Sequence, residues 1–157
     1  MRVGIGIDSH RFAEGRPLIL GGVEVPHDLG LDGHSDADVL SHAIVDAMLG
    51  AVAAGDIGSH FPPDDPAWKG ADSRVFLAAA LEAVRRAGYA IGNVDATILA
   101  EAPKLAPHLP EMRRQLADTL DVGVEAISVK ATTAERMGAL GRGEGMACHA
   151  VVLLVPD

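Results

Sequence analysis

The sequence predicts an α+β fold, an α/β sandwich in which one mixed β-sheet is covered by helices. Two observations carry this reading. Short β-forming runs and longer segments with apolar residues at helical spacing follow one another in the order ββ-α-α-β-α-β-β, an arrangement suited to a sheet layered with helices. The chain has 157 residues, 48% of them hydrophobic but only five aromatic (three Phe, one Trp, one Tyr). A single domain over residues 1–157 with a core of Ala, Val, Leu and Ile is therefore expected.

Residues 2–7 read as a strand running straight into Asp8-Ser9-His10. Residues 18–25 read as a hairpin turning at Gly21-Gly22, and 27–34 as a polar loop. Ser35-x-x-Asp38 resembles a capping box ahead of Val39, Leu40, Ala43, Ile44, Ala47, Met48 and Ala51, a helix expected to end near Gly55. Residues 56–71 hold three of the nine prolines and form a loop long enough to be functional. A second helix spans about 73–87 and stops at Gly88. A strand at 94–100, a Pro-punctuated segment, a helix at 110–120, a strand at 127–131, a Gly-rich loop at 138–145 and a strand at 147–155 complete the chain. No internal repeat or low-complexity tract is present.

Thirteen Lys and Arg against 22 Asp and Glu give a net charge of −9. That balance argues against a general nucleic-acid or anionic-membrane surface, while leaving room for a local cationic site. No run reaches membrane-spanning length, and the N-terminus lacks a secretory or transit signature, so a cytoplasmic protein is expected. A single cysteine, Cys148, excludes a disulfide framework and a Cys-rich zinc finger.

Four segments can carry chemistry. Asp8 and His10, two apart on a strand, face the same side and can offer an oxygen and a nitrogen to one ion. His42 lies one helical turn from both Asp38 and Asp46, either of which could accept its second ring N–H. Three such ligands with an open fourth position describe a catalytic zinc site. They also match a ferrous facial triad, although a helical ligand departs from the all-β scaffold common there. The motif is short, and taken alone it is better accounted for by a polar strand end beside a helical histidine. In the run Asp32-Gly33-His34-Ser35-Asp36-Ala37-Asp38, the start of a helix with His34 and Ser35 could hold a phosphate, or Ser35 could simply cap. Lys130-Ala131-Thr132-Thr133-Ala134-Glu135 could donate to phosphates and hold Mg²⁺, or be an ordinary strand end with a solvated glutamate. Ala100-Glu101-Ala102-Pro103-Lys104-Leu105-Ala106-Pro107 could let a base approach the backbone, or be a Pro-stiffened turn. Gly141-Arg142-Gly143-Glu144-Gly145 lacks P-loop spacing, and its Arg/Glu pair suits an interface as well as a ligand.

Taken together, these segments resemble the 2-C-methyl-D-erythritol 2,4-cyclodiphosphate synthase family, the cyclases of non-mevalonate isoprenoid biosynthesis. The resemblance runs over essentially the whole chain. It rests on Gly6-Ile7-Asp8-Ser9-His10-Arg11-Phe12, Asp32-Gly33-His34-Ser35-Asp36-Ala37-Asp38-Val39-Leu40-x-His42-Ala43, Gly55-Asp56-Ile57-Gly58-x-x-Phe61-Pro62 and Lys69-Gly70-Ala71-Asp72-Ser73. It continues in Ala102-Pro103-Lys104, Lys130-Ala131-Thr132-Thr133-x-Glu135 and Gly141-Arg142-Gly143-Glu144-Gly145. Each is weak alone; seven in order are specific.

The resemblance implies a phosphorus–oxygen lyase that works as a homotrimer with active sites between neighbouring subunits. The 2-phosphate of 4-diphosphocytidyl-2-C-methyl-D-erythritol 2-phosphate attacks the β-phosphate of the same molecule, releasing CMP. It further implies Zn²⁺ on Asp8, His10 and His42, and Mg²⁺ or Mn²⁺ on Glu135 with the substrate phosphates. His34 and Thr133 are implied as the transition-state stabilisers. Ser35, Asp56, Ile57, Gly58, Phe61, Asp65, Thr132 and Arg142 are implied as substrate contacts, with Ala100, Pro103, Lys104, Leu105 and Ala106 around the cytosine and its phosphates. Two residues depart from the family pattern: Ala139 stands where many relatives carry Phe, and Ala134 where a polar residue is common. No fused cytidylyltransferase domain is expected. The competing readings are a zinc-dependent phosphohydrolase, in which the same ligands activate water, and a non-catalytic nucleotide-binding trimer.

Overall fold

The structure, a computed structural model, describes residues 1–157. Strand β1 (Arg2–Ala13) is followed by the hairpin β2 (Leu18–Leu20) and β3 (Val23–Val25), then by β4 (Gly30–Leu31). Helices α1 (Val39–Ala51), α2 (Ile57–His60) and α3 (Arg74–Arg86) precede β5 (Tyr89–Leu99). Helix α4 (Leu109–Leu120), β6 (Ile127–Thr132), the short α5 (Gly138–Gly141) and β7 (Gly145–Pro156) follow, with 3₁₀ turns at Pro66–Trp68 and Val124–Ala126. The main sheet has the order β4-β1-β7-β5-β6; only β5 and β6 run parallel, so the sheet is mixed as expected. No helix is long and apolar enough to cross a membrane.

Several boundaries differ from the sequence reading, the strands because a partner strand supplies hydrogen bonds and the helical segments because of local ones. Strand β1 continues beyond residue 7 because β7 pairs with it as far as Arg11↔Gly145. The short β4, within the expected loop 27–34, exists only by pairing with Phe12 and Ala13. Strand β5 starts at Tyr89 instead of Val94, with an irregularity between Ile91 and Asn93 that absorbs Gly92. The expected loops 56–71 and 138–145 each contain a helical turn, α2 and the 3₁₀ turn in the first and α5 in the second. Helix α1 stops at Ala51, because Ala53 and Gly55 take positive φ and Ala54 N–H closes back on Leu49 O at 2.9 Å.

Asp38, not Ser35, caps α1. Its carboxylate accepts from the N–H groups of Ser41 (3.0 Å), Gly21 (2.9 Å) and Gly22 (2.9 Å) and from Ser41 Oγ (2.7 Å). Asp38 is fully buried, and burial raises its pKa against the pull of those donors. The carboxylate ties the β2–β3 turn to the start of the helix and fills the N-terminal anion position that the sequence left open to a phosphate.

Helix α1 is buried nearly all round, lying between the sheet and α3. Its contact with β1 is made by small residues. A Cβ built on Gly4 or Gly6 would fall under 3.0 Å from backbone atoms of Ala47 and Ala51, or of Ala43 and Ala47. The strand and helix backbones therefore touch directly. Opposite Asp8 in β7, Cys148 is buried, and burial first, then the charges of Asp38 and Asp8, push its thiol up to about 12. The other face of the sheet is open: Val3, Ile5, Ile7 and Val151 are 66%, 64%, 56% and 43% exposed.

This seam makes opposite predictions for two glycines close to it. Gly6→Ala should destabilise the protein by about 3 kcal/mol or more in urea denaturation, at or beyond the usual cost of overpacking, because the obstacle is backbone. Gly50→Ala, in α1 but with nothing nearer than Ile5 O at 4.0 Å, should stabilise by about 0.5–1 kcal/mol through helix propensity.

Candidate functional site

The Gly4–Gly6 seam also fixes where the later residues of β1 lie. With the backbones in contact, the next inward side chains of β1, Asp8 and His10, meet His42 in the first turns of α1. Asp8 Oδ2 lies 2.8 Å from His10 Nε2 and 3.0 Å from His42 Nδ1, and the two ring nitrogens are 3.2 Å apart. The three ligand atoms all fall within 4.8 Å of one another, so the trio could hold a metal ion. Two imidazoles and a carboxylate match the donor set of a mononuclear catalytic site, whose remaining position faces a cavity.

Although burial pushes it up, the hydrogen bonds from His10 and then His42 outweigh burial and hold the Asp8 carboxyl well below the usual range. His10 is raised, since its bond to Asp8 more than offsets burial. Its other nitrogen, Nδ1, lies 2.6 Å from Asp32 O and donates to it, which directs Nε2 at the metal position.

The second nitrogen of His42 goes elsewhere than the helix spacing suggested. Asp38 is consumed as the cap, and Asp46 accepts from Ile57 N at 2.8 Å, anchoring α2 instead. His42 Nε2 meets Ser73 Oγ at 2.9 Å and Ser35 Oγ at 3.2 Å. Ser73 and its partner Asp36 went unread as site residues because Ser73 sits in a helix-start motif and Asp36 lies 37 residues from it.

A cavity of about 250 Å³ opens beside the trio, lined by Asp8, His10, His34, Ser35 and His42 together with Ile57, Gly58, Phe61, Pro63, Trp68 and Phe76. Eight of these are residues that the sequence singled out. Two members of the aromatic wall were missed: Trp68 and Phe76 pack with Phe61, ring centroids 4.5 to 5.8 Å apart, and close the cavity's apolar side. His34 Nε2 sits 2.9 Å from Asp65 O, so the loop carrying Asp65 orients that ring. Asp56 caps α2 through Ser59 N at 2.8 Å and sets the turn that brings Ile57 and Gly58 to the cavity.

A second cleft, about 280 Å³, is lined by Ala100, Glu101, Pro103, Lys104, Leu105, Ala106, Ala131, Thr132 and Thr133. It shares no residue with the first. Ser9, Ala147, Leu99 and Thr132 form one row across β1, β7, β5 and β6, so both clefts lie at the same end of the sheet, with Ser9 and Thr132 three strand spacings or roughly 14 Å apart. Beside it, Thr133 Oγ1 donates to Glu135 Oε1 at 3.1 Å, and Glu135 and Arg136 hold consecutive positive φ values of 51° and 60°. Glu101, another residue without an assigned role, steadies that strained turn by accepting from Ala134 N (3.0 Å) and Arg136 N (3.1 Å). The turn is held through the backbone at Ala134, so the loss of a polar side chain there leaves it in place. Arg142 pairs with Glu144 at 2.6 Å, is exposed, and is not among the residues lining either cleft. Ala139 lines a third cleft beside Ser9 and His10.

Comparison with known proteins extends over nearly the whole chain. The YgbB family profile matches residues 1–155. The chain is 59% identical over 153 residues to 2-C-methyl-D-erythritol 2,4-cyclodiphosphate synthase of Bacillus cereus, covering 98% of this chain and 97% of that one. It resembles a solved CDP complex of the Plasmodium falciparum enzyme IspF (TM-score 0.87, 34% identity, 99% and 96% covered). It also resembles a CDP-bound 2C-methyl-D-erythritol-2,4-cyclodiphosphate synthase (TM-score 0.90, 38% identity, 98% and 100% covered). Against the bifunctional IspDF of Campylobacter jejuni (TM-score 0.96, 43% identity) it covers 99% of itself but only 42% of that chain.

Asp8→Asn should weaken divalent-metal binding by more than the roughly 100-fold expected for an outer-sphere partner, measured by competition with a chromophoric chelator. Binding by the unaltered protein should weaken as pH falls. His10 must be neutral to ligate, and its raised pKa makes protons compete from above the ordinary histidine value downward.

Proposed function

The chain belongs to the YgbB family, the 2-C-methyl-D-erythritol 2,4-cyclodiphosphate synthases, and from that premise we propose the reaction and the role of each residue in it. One domain over residues 1–157, acting in the cytoplasm, converts 4-diphosphocytidyl-2-C-methyl-D-erythritol 2-phosphate to the 2,4-cyclodiphosphate and CMP. A 2-phosphate oxygen forms a bond to the β-phosphorus, and the bond from that phosphorus to the oxygen bridging it to the α-phosphate breaks. CMP leaves with that oxygen. The reaction class is that of a phosphorus–oxygen lyase. The observation that carries the proposal is the metal-competent Asp8, His10 and His42 trio opening into the same cavity as His34 and Ser35.

Zn²⁺ on the trio, and Mg²⁺ or Mn²⁺ on Glu135 with the substrate phosphates, would supply Lewis acidity and charge cancellation for a diphosphate entering a chain of net charge −9. A single exposed carboxylate at Glu135 suits an ion that takes most of its ligands from phosphate and water.

The chain's own residues do the positioning. His34 Nε2–H donates to Asp65 O, which holds the ring in place to steady the transition-state oxygens. Thr133 supplies a hydroxyl to the transition-state oxygens at the other cleft, while Ser35 and Thr132 hold phosphates. Asp56, Ile57, Gly58, Phe61 and Asp65 line or frame the sugar end. Ala100, Pro103, Lys104, Leu105 and Ala106 receive the cytidine end, and Arg142 serves at the rim. Both reacting groups belong to one bound molecule, so holding it folded is the largest part of the task. The wall of Phe61, Trp68 and Phe76 excludes water, which favours the internal phosphate over hydrolysis.

The two clefts share no residue, which suits a homotrimer whose sites are completed between neighbours, the metal half from one subunit and the nucleotide half from the next. A small-molecule diphosphate is then the ligand of both.

Incubation with substrate and Mg²⁺ should give cyclic diphosphate and CMP; inorganic phosphate in their place would favour the phosphohydrolase, and nucleotide binding without turnover the non-catalytic trimer. Glu135→Gln should raise the Mg²⁺ needed for activity while leaving bound zinc intact. Thr133→Val should instead lower kcat with little change in metal demand.

A mixing experiment tests the shared site. His42→Ala and Lys104→Ala subunits, each weakly active alone, should regain about one quarter of the sites when co-assembled at equal ratio, because subunits combine at random around a symmetric ring. No recovery, or full activity from a monomer in light scattering, would place both halves within one chain.

A further inference from the structure

We propose that Ser73 and Asp36 form a hydrogen-bond relay that fixes the tautomer of His42 and thereby sets the metal affinity of the Asp8, His10 and His42 centre. The inference rests on the metal site described above, and both members are positioning residues that act through His42.

A serine hydroxyl has one proton. Ser73 Oγ lies 2.5 Å from Asp36 Oδ1, and Ser73 N–H donates to Asp36 Oδ2 at 2.9 Å. Asp36 Oδ1 also faces Asp38 N–H at 3.2 Å. The Asp36 carboxylate is an acceptor in every one of these contacts, so the Ser73 proton is committed to it. Toward His42 Nε2, 2.9 Å away, Ser73 Oγ can then only accept. When an ion takes the place of the proton that His42 Nδ1 shares with Asp8, His42 therefore keeps its proton on Nε2 and presents its lone pair at Nδ1, the nitrogen that faces Asp8 and His10.

Burial makes the preference binding. Ser73 is fully buried and His42 nearly so, and a buried N–H left without an acceptor costs more than the bond it would have made. Ser35 Oγ, at 3.2 Å from Nε2 and already accepting from Ala37 N–H, is a weaker partner for the same proton. With Nε2 protonated, the Ser35 hydroxyl proton has no acceptor on the ring and is free to turn toward the cavity that Ser35 lines. The relay thus prepares the metal ligand and releases a donor for the substrate.

The test compares the unaltered chain with Ser73→Ala and Asp36→Asn, each stripped of metal and titrated with Zn²⁺ against a chromophoric chelator, with urea midpoints recorded to confirm folding. Both variants should lose about 10–100-fold in affinity, the range for partners of a ligating histidine. Heteronuclear NMR of the unaltered protein loaded with a spin-half cadmium isotope should show coupling from the metal to His42 Nδ1 and a slowly exchanging Nε2–H. Coupling to Nε2, or wild-type affinity in both variants, would overturn the relay. Should either variant fail to fold, the NMR of the unaltered protein decides alone. If the unaltered protein binds no metal, the site reading itself fails, an outcome distinct from failure of the relay.

Discussion

The direct contact of two backbones, β1 on α1, is the constraint on which the rest of the structure depends. Most strand–helix contacts are spaced by side chains. Here Gly4 and Gly6 face Ala43, Ala47 and Ala51, and no Cβ fits between them. Removing that layer brings the helix in until its first turns sit beside the strand's later residues, and an aspartate and two histidines then converge without a loop to carry them. Rigid elements hold ligands more exactly than loops do. The cost is that α1 must be buried almost all round, which explains why its sequence is apolar on every face and not along one stripe.

Burying a helix start beside a metal-competent centre leaves many polar groups out of water, and the fold answers by giving them fixed partners. Asp38 takes four donors from the hairpin turn and the first helical turn. Asp36 takes three, two of them from Ser73 at the start of α3. Asp46 holds the beginning of α2. The aspartates around α1 are thus structural acceptors, each tying a different peripheral segment to the central helix, and only Asp8 is left for chemistry. A network of this kind is worth having only when every member is satisfied. It also means that the hairpin, α2 and α3 are placed by the same helix that places His42.

How far the sequence discloses this can be traced through particular residues. Asp8 and His10 were legible because strand geometry alone puts residues two apart on one side. His42 was legible as a ligand but its second partner was not. Helical spacing pointed to Asp38 and Asp46, both of which tertiary contacts claim, while Ser73 reaches His42 from 31 residues away. The mixed sheet followed from the order of elements, but a two-residue strand such as β4 exists only through its neighbour and leaves no periodic signal. Ser35 was misread as the start of the helix for a related reason. Ala37 takes a positive φ of 57° between it and the true cap, a conformation that nothing in an alanine announces.

The choice of donors at the centre has a consequence for redox chemistry. The trio offers nitrogen and oxygen only, and the chain's one sulfhydryl, Cys148, is sealed beneath Asp8 with its thiol pushed up to about 12. Oxidants release metal from thiolate sites by attacking the ligand sulfur, which requires the ionised form. Here there is no ligand sulfur, and the nearby thiol stays protonated and out of reach. Peroxide or disulfide stress would therefore fall first on exposed methionines such as Met137, none of which is a ligand in the trio, and the centre would keep its ligand set where a cysteine-built site would lose its own.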